Sequence, residues 1–148
     1  MLTHCATMKR FAALVVGVVA SVTLSMVDAA DSASSKVISL HAQVITPASD
    51  ALFQAESSSP ATREEWQRLA VRAGDLARAA TVLESIPPSK DQREWLQFAG
   101  ALRAGAEQAA RAATAADQDA LVTANGQIVS ACEDCHTKYR DAGRSMKQ

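Results

Sequence analysis

Three of the 148 residues are cysteine, and two of them stand together as Cys132-Glu133-Asp134-Cys135 with His136 directly after. On a helix, residues three apart share a face, so both thiols point the same way, and an imidazole four residues after the first projects beside them. The order Cys-x-x-Cys-His is the attachment pattern of a c-type haem. Each thiol forms a thioether with one haem vinyl group, and the imidazole becomes the proximal axial ligand of the iron.

Other uses of these residues fit less well. A disulfide between residues three apart on a helix would be strained. A structural zinc site needs four ligands, and beyond these three the chain carries no second cysteine pair and, past its first segment, one further histidine, His41. A thioredoxin-like redox pair wants a strand-turn-helix setting, and no strand signal precedes the motif.

The first segment reads as an export signal. Met8-Lys9-Arg10 is positive, Phe11 to Val27 is apolar without a charge, and Val27-Asp28-Ala29 offers the small residues of a cleavage site. Met8 is the more natural start, and cleavage after Ala29 leaves residues 30–148 as one domain, with Cys5 removed. An uncleaved membrane anchor is the rival reading, but the apolar run falls short of the ~20 residues of a spanning helix. The mature chain is therefore expected in the periplasm, with no stable membrane insertion. Fifteen basic residues against sixteen acidic ones, without a long same-sign run, give no footprint for nucleic acid.

The elements that must position the motif are helical. Apolar residues make up 48 % of the chain but aromatics only 4 %, alanine dominates, and apolar positions recur every three or four residues. A first helix is expected from Ser34 or Ser35, with Val37, Leu40, His41, Val44, Ile45, Ala48 and Leu52 on one face. Pro47 lies inside this pattern and clashes with the carbonyl of Gln43, so a kink is expected there. That kink either repositions the half carrying His41 or simply bends the helix around the core.

Thr62 and Glu65 form a capping box that opens a second helix through Leu83, which stops before Pro87-Pro88. Ser89 with Gln92 repeats the box for a third helix carrying Trp95, Phe98, Leu102 and Ala109. Asp117 caps a fourth, with Leu121, Ala124, Ile128, Cys132 and Cys135 inward and the Asn125-Gly126 pair tolerated inside it. The expected fold is all-α, an antiparallel four-helix bundle.

At this point the chain resembles the class II c-type cytochromes, the cytochrome c′ family, over about residues 36–140. The most specific part is Ala131-Cys132-Glu133-Asp134-Cys135-His136-Thr137-Lys138-Tyr139-Arg140. The resemblance implies a haem buried among four helices, Tyr139 packed near the porphyrin and Arg140 flanking the proximal pocket. It also implies pairing into a homodimer through the first two helices. Low-spin members of the family fill the sixth iron position from the first helix, usually with methionine. His41 stands at the equivalent place, while Met146, the one methionine left after cleavage, follows the motif and cannot cross to the other haem face.

Without the haem, His41 on an apolar stripe reads as a hydrogen-bonded core residue; with it, ligation satisfies the buried imidazole. The family's high-spin members often hold a propionate with a first-helix arginine, which this chain lacks; Lys36 is the nearby cation, and a solvated lysine is its ordinary fate. Trp95, before Trp66, is the candidate to stack on the porphyrin edge, with plain core as the other reading of both.

Two functions follow as expectations. With His41 on the iron, the chain is a monohaem electron carrier, no enzyme, that exchanges single electrons with redox partner proteins. With His41 off it, the five-coordinate iron binds a diatomic gas such as nitric oxide or carbon monoxide on a distal side lined by Val37, Leu40, Val44 and Ile45.

Overall fold

The computed structural model describes residues 33–88 and 90–141, and no strand occurs among them. Helix α1 covers residues 33–57 in three stretches: α-helical over 33–40, a π-helix over His41–Ile45, and α-helical over Thr46–Ser57. Helix α2 is Arg63–Ser85, α3 is Gln92–Ala115, and α4 is Gln118–Cys135, prolonged by a π-helix over His136–Asp141. The expected export segment, residues 1–29, lies outside the described residues, as do Ser89 and Met146.

Two of the helix starts follow the sequence closely. The Thr62 hydroxyl accepts from the Glu65 N–H at 3.2 Å, and the Glu65 carboxylate accepts from the N–H groups of Thr62 and Ala61 at 3.0 and 2.7 Å. Those amide donors, Ala61 first, hold the Glu65 carboxyl below the usual carboxylate range. Asp117 caps α4 by accepting from the Ala120 N–H at 3.0 Å.

Other boundaries differ from expectation. Ser34 and Ser35 lie within the helical stretch 33–40 and so do not precede it. Helix α3 starts at Gln92, with Asp91 in the cap position at φ 56° and no side-chain cap bond, so Gln92 is the first helical residue and not the third. Aspartate tolerates the left-handed region better than most residues. The two-residue link to α4 likewise turns on Ala116 at φ 54°, while the Asp117 N–H closes back on the Ala112 carbonyl at 2.9 Å.

Short links force the helices into antiparallel neighbours. The register of α1 against α4 makes this visible, because His41 faces His136, Leu52 meets Asn125, and Ala55 and Glu56 meet Gln118. Leu52, Leu76, Leu121 and Ile128 are fully buried, and alanines 73, 80, 106, 109 and 124 fill the layers between them. Small residues let the axes approach closely: a Cβ built on buried Gly105 would sit 3.0 Å from Ile128 Cγ1. Gly126 stays inside α4, as its unbroken apolar stripe requires, and Asn125 beside it is fully buried with its amide donating to the Leu52 carbonyl at 2.9 Å.

Candidate functional site

Cys132 and Cys135 occupy the last turn of α4, and His136 begins the π-helix that follows. Both cysteines are free and half-buried. Burial pushes both thiols up, with Glu133 adding to the effect at Cys132, and Cys135 reaches about 11 through burial and the neighbouring Cys132. At neutral pH both groups are thus protonated thiols, not thiolates.

Across the bundle, His41 begins the other π-helix, and its ring lies 5.8 Å from that of His136, centroid to centroid, at an interplanar angle of 38°. Two imidazoles on opposite sides of one metal ion, each bonded at about 2 Å, have centroids about 6 Å apart. The separation therefore suits a pair of axial ligands. His41 Nδ1 donates to the Val37 carbonyl at 3.0 Å. Only a protonated Nδ1 can make that bond, which leaves Nε2 as the nitrogen with a free lone pair, the tautomer a metal-bound histidine uses.

Half-buried apolar groups lie on the two elements that carry the rings. Val37, Leu40 and Val44 from α1, with Cys132, Cys135 and Tyr139 from the α4 side, all pack against the core without being enclosed by it. Among the described residues no three of His, Cys, Asp and Glu converge as ligands for one ion.

The remaining expected site residues fall into two groups. Tyr139 stands beside the motif and packs edge-on against Trp95 at 5.1 Å and Phe98 at 6.3 Å. Trp95 is buried in the core behind it, with its indole N–H on the Leu83 carbonyl at 2.7 Å, so it backs Tyr139 from within α3. Arg140 is exposed on the same π-helix, Trp66 is core in α2, and Lys36 is exposed on α1.

A second set was not anticipated. The Tyr139 hydroxyl donates to the Asp91 carbonyl at 2.9 Å, and Lys138 pairs with Glu94 and, at 3.9 Å, with Asp91. These contacts fasten the segment after His136 to the start of α3. Opposite charges on Lys138 and Glu94 are the only trace of this in the sequence, and nothing in the chain order brings them together.

No known protein family, curated protein or solved structure matches the chain.

Proposed function

We propose that this chain is an exported, monohaem c-type cytochrome of the class II kind that carries single electrons between redox partner proteins. The observation that carries the reading is the His41 ring standing 5.8 Å from His136, the histidine of the Cys-x-x-Cys-His motif. Haem c, when bound, supplies a reversible one-electron ferric/ferrous couple.

The chain's residues divide the work. Cys132 and Cys135, three residues apart in the last turn of α4, would hold the haem covalently through their thiols. His136 and His41 would be the residues that hold the iron, His41 through Nε2 because its Nδ1–H is taken up by the Val37 carbonyl. Val37, Leu40 and Val44 keep water from the distal side. Tyr139, fixed by Asp91 and backed by Trp95, holds the proximal segment in place, with Arg140 at its surface. Two imidazole ligands set a lower potential than an imidazole–thioether pair, which suits a low-potential donor or acceptor. A second histidine available to hold the iron favours electron transfer over gas binding in this reading. Residues 1–29 are the export signal in this reading and the periplasm is the destination; none of the described helices is long and apolar enough to cross a membrane.

The test is the optical spectrum of the protein produced with its leader in a host that attaches haem to exported proteins. The expected result is covalently held haem, low-spin in both oxidation states and inert to carbon monoxide, becoming high-spin and gas-binding in His41→Ala. A high-spin wild type that already binds carbon monoxide would move the function to gas binding. No haem at all would overturn the reading.

A further inference from the structure

A proline inside a helix ordinarily reads as a defect, and Pro47 lies exposed on α1, outside the buried core. It has no N–H to give the ladder, and in α geometry its ring collides with the carbonyl four residues back, that of Gln43. Directly before it the helix widens: over His41–Ile45 it is a π-helix, and the Thr46 N–H reaches the His41 carbonyl, one residue further back than an α-helix would. The wider turn accommodates the proline by passing over the donor it lacks. On the far side, where α geometry resumes, the Ser49 hydroxyl donates to the Ile45 carbonyl at 2.6 Å and approaches the Thr46 carbonyl at 3.3 Å.

The consequence is angular. One extra residue in a turn rotates everything before it by ~100° relative to everything after it. The part after it is fixed: Ala48, Ser49, Leu52 and Ala55 are buried, and Asn125 of α4 holds the Leu52 carbonyl. The direction of the His41 ring is therefore set by the width of the turn that Pro47 imposes.

We infer that Pro47 is a positioning residue, whose enforced π-turn aims His41 across the bundle at His136. This rests on the reading of the two histidines as axial ligands. Replacing the proline by alanine restores the N–H, removes the ring and lets the turn close to α geometry, which swings His41 away from His136 while improving the helix as a helix.

The experiment compares the wild type, Pro47→Ala and Pro47→Gly, all produced as the haem-loaded full chain, in covalent haem content, ferric spin state, carbon monoxide binding and thermal midpoint. Pro47→Gly also removes the ring and restores the N–H, so it carries the test if the alanine variant fails to accumulate. The expected result is unchanged haem content, an unchanged or higher thermal midpoint for Pro47→Ala, and in both variants a change from low to high spin with carbon monoxide binding gained. Variants that stay low-spin and inert to carbon monoxide overturn the inference, as does a variant that merely loses stability with its spectrum intact. A wild type without haem or with a high-spin spectrum fails one step earlier, at the proposed function itself, and is thereby told apart.

Discussion

The Tyr139 hydroxyl donates to the Asp91 carbonyl at 2.9 Å, so the segment after the Cys-x-x-Cys-His motif is tied to the residue that starts α3. Asp91 is held at φ 56°, and its carbonyl also receives the Trp95 N–H at 3.1 Å. The tyrosine ring meanwhile leans edge-on against Trp95. Removing only the hydroxyl, in Tyr139→Phe, is expected to cost about 0.5–1 kcal/mol, the net worth of one partly exposed hydrogen bond. Tyr139→Ala also forfeits the aromatic pair and its buried area and is expected to cost several times as much. Urea unfolding of the three proteins checks the order; a Tyr139→Phe variant as unstable as Tyr139→Ala would show that the bond, not the ring, holds the segment.

Two glycines in facing helices should respond to the same substitution with opposite signs. A Cβ on Gly105 would meet Ile128 Cγ1 at 3.0 Å and the Ile128 backbone nitrogen at 3.3 Å, and the backbone atom has little room to yield. Gly105→Ala is expected to destabilise by about 1–3 kcal/mol through overpacking, reduced by what the better helix former returns. At Gly126 a Cβ would meet nothing within 4 Å. Gly126→Ala is therefore expected to stabilise by up to about 1 kcal/mol, the helix propensity alone. Thermal midpoints moving in the same direction for both would contradict the close approach of α3 and α4.

The contrast between these glycines marks what the sequence could and could not convey. Gly126 was legible as an interior helix residue because the stripe keeps its phase from Leu121 through Cys135. The closeness of Gly105 to Ile128 depends on how two helices lie together, and no local pattern states it. Thr62, Glu65 and Asp117 were legible because a cap and its partner sit three residues apart. Asp91 and Ala116 were not, since a left-handed residue that is not glycine carries no mark of its own. For the site, Cys132, Cys135 and His136 announce themselves by adjacency. His41 was a candidate through its apolar stripe and the resemblance, while its distance and tautomer depend on packing and on Val37. The π-turn was hidden because neighbouring pairs on the stripe, Leu40 with His41 and Val44 with Ile45, fit a turn of either width.

The capping box at α2 makes stability depend on pH in a defined direction. Hydrogen bonds from Ala61 and Thr62 lower the folded-state pKa of Glu65, so its carboxylate stabilises the fold above the unfolded-state value, and that contribution is lost as pH falls through the lowered one. Glu65→Gln keeps an acceptor for the box but has no charge to lose. At neutral pH the wild type is expected to be the more stable of the two, with the gap closing as the solution is acidified below the ordinary carboxylate range. Urea midpoints at a series of pH values measure this, and a gap that does not change with pH would show that the amide bonds do not discriminate between the two forms.

Asn125 is the sharpest test of the α1–α4 contact, because its two ends are treated so differently. Its amide nitrogen donates to the Leu52 carbonyl at 2.9 Å and to the Glu56 carboxylate at 3.2 Å, while its oxygen is buried and has no hydrogen-bond partner among the described residues. Asn125→Asp would set a third acceptor, and a charge, against two that need a donor. The expected cost at neutral pH is about 3–5 kcal/mol, that of an uncompensated buried charge. Acidification should recover part of it, because a protonated carboxyl can again donate to Glu56. Asn125→Leu removes the unpartnered oxygen along with the donor and should cost less than Asn125→Asp, since replacing a buried polar group by an apolar one avoids leaving a charge behind. Because Leu52 anchors the half of α1 beyond Pro47, the aspartate variant should also loosen the His41–His136 approach, which under the haem-binding proposal reads as a partly high-spin spectrum at neutral pH. An Asn125→Asp protein as stable as the wild type at neutral pH would mean that this end of the α1–α4 interface is open to water.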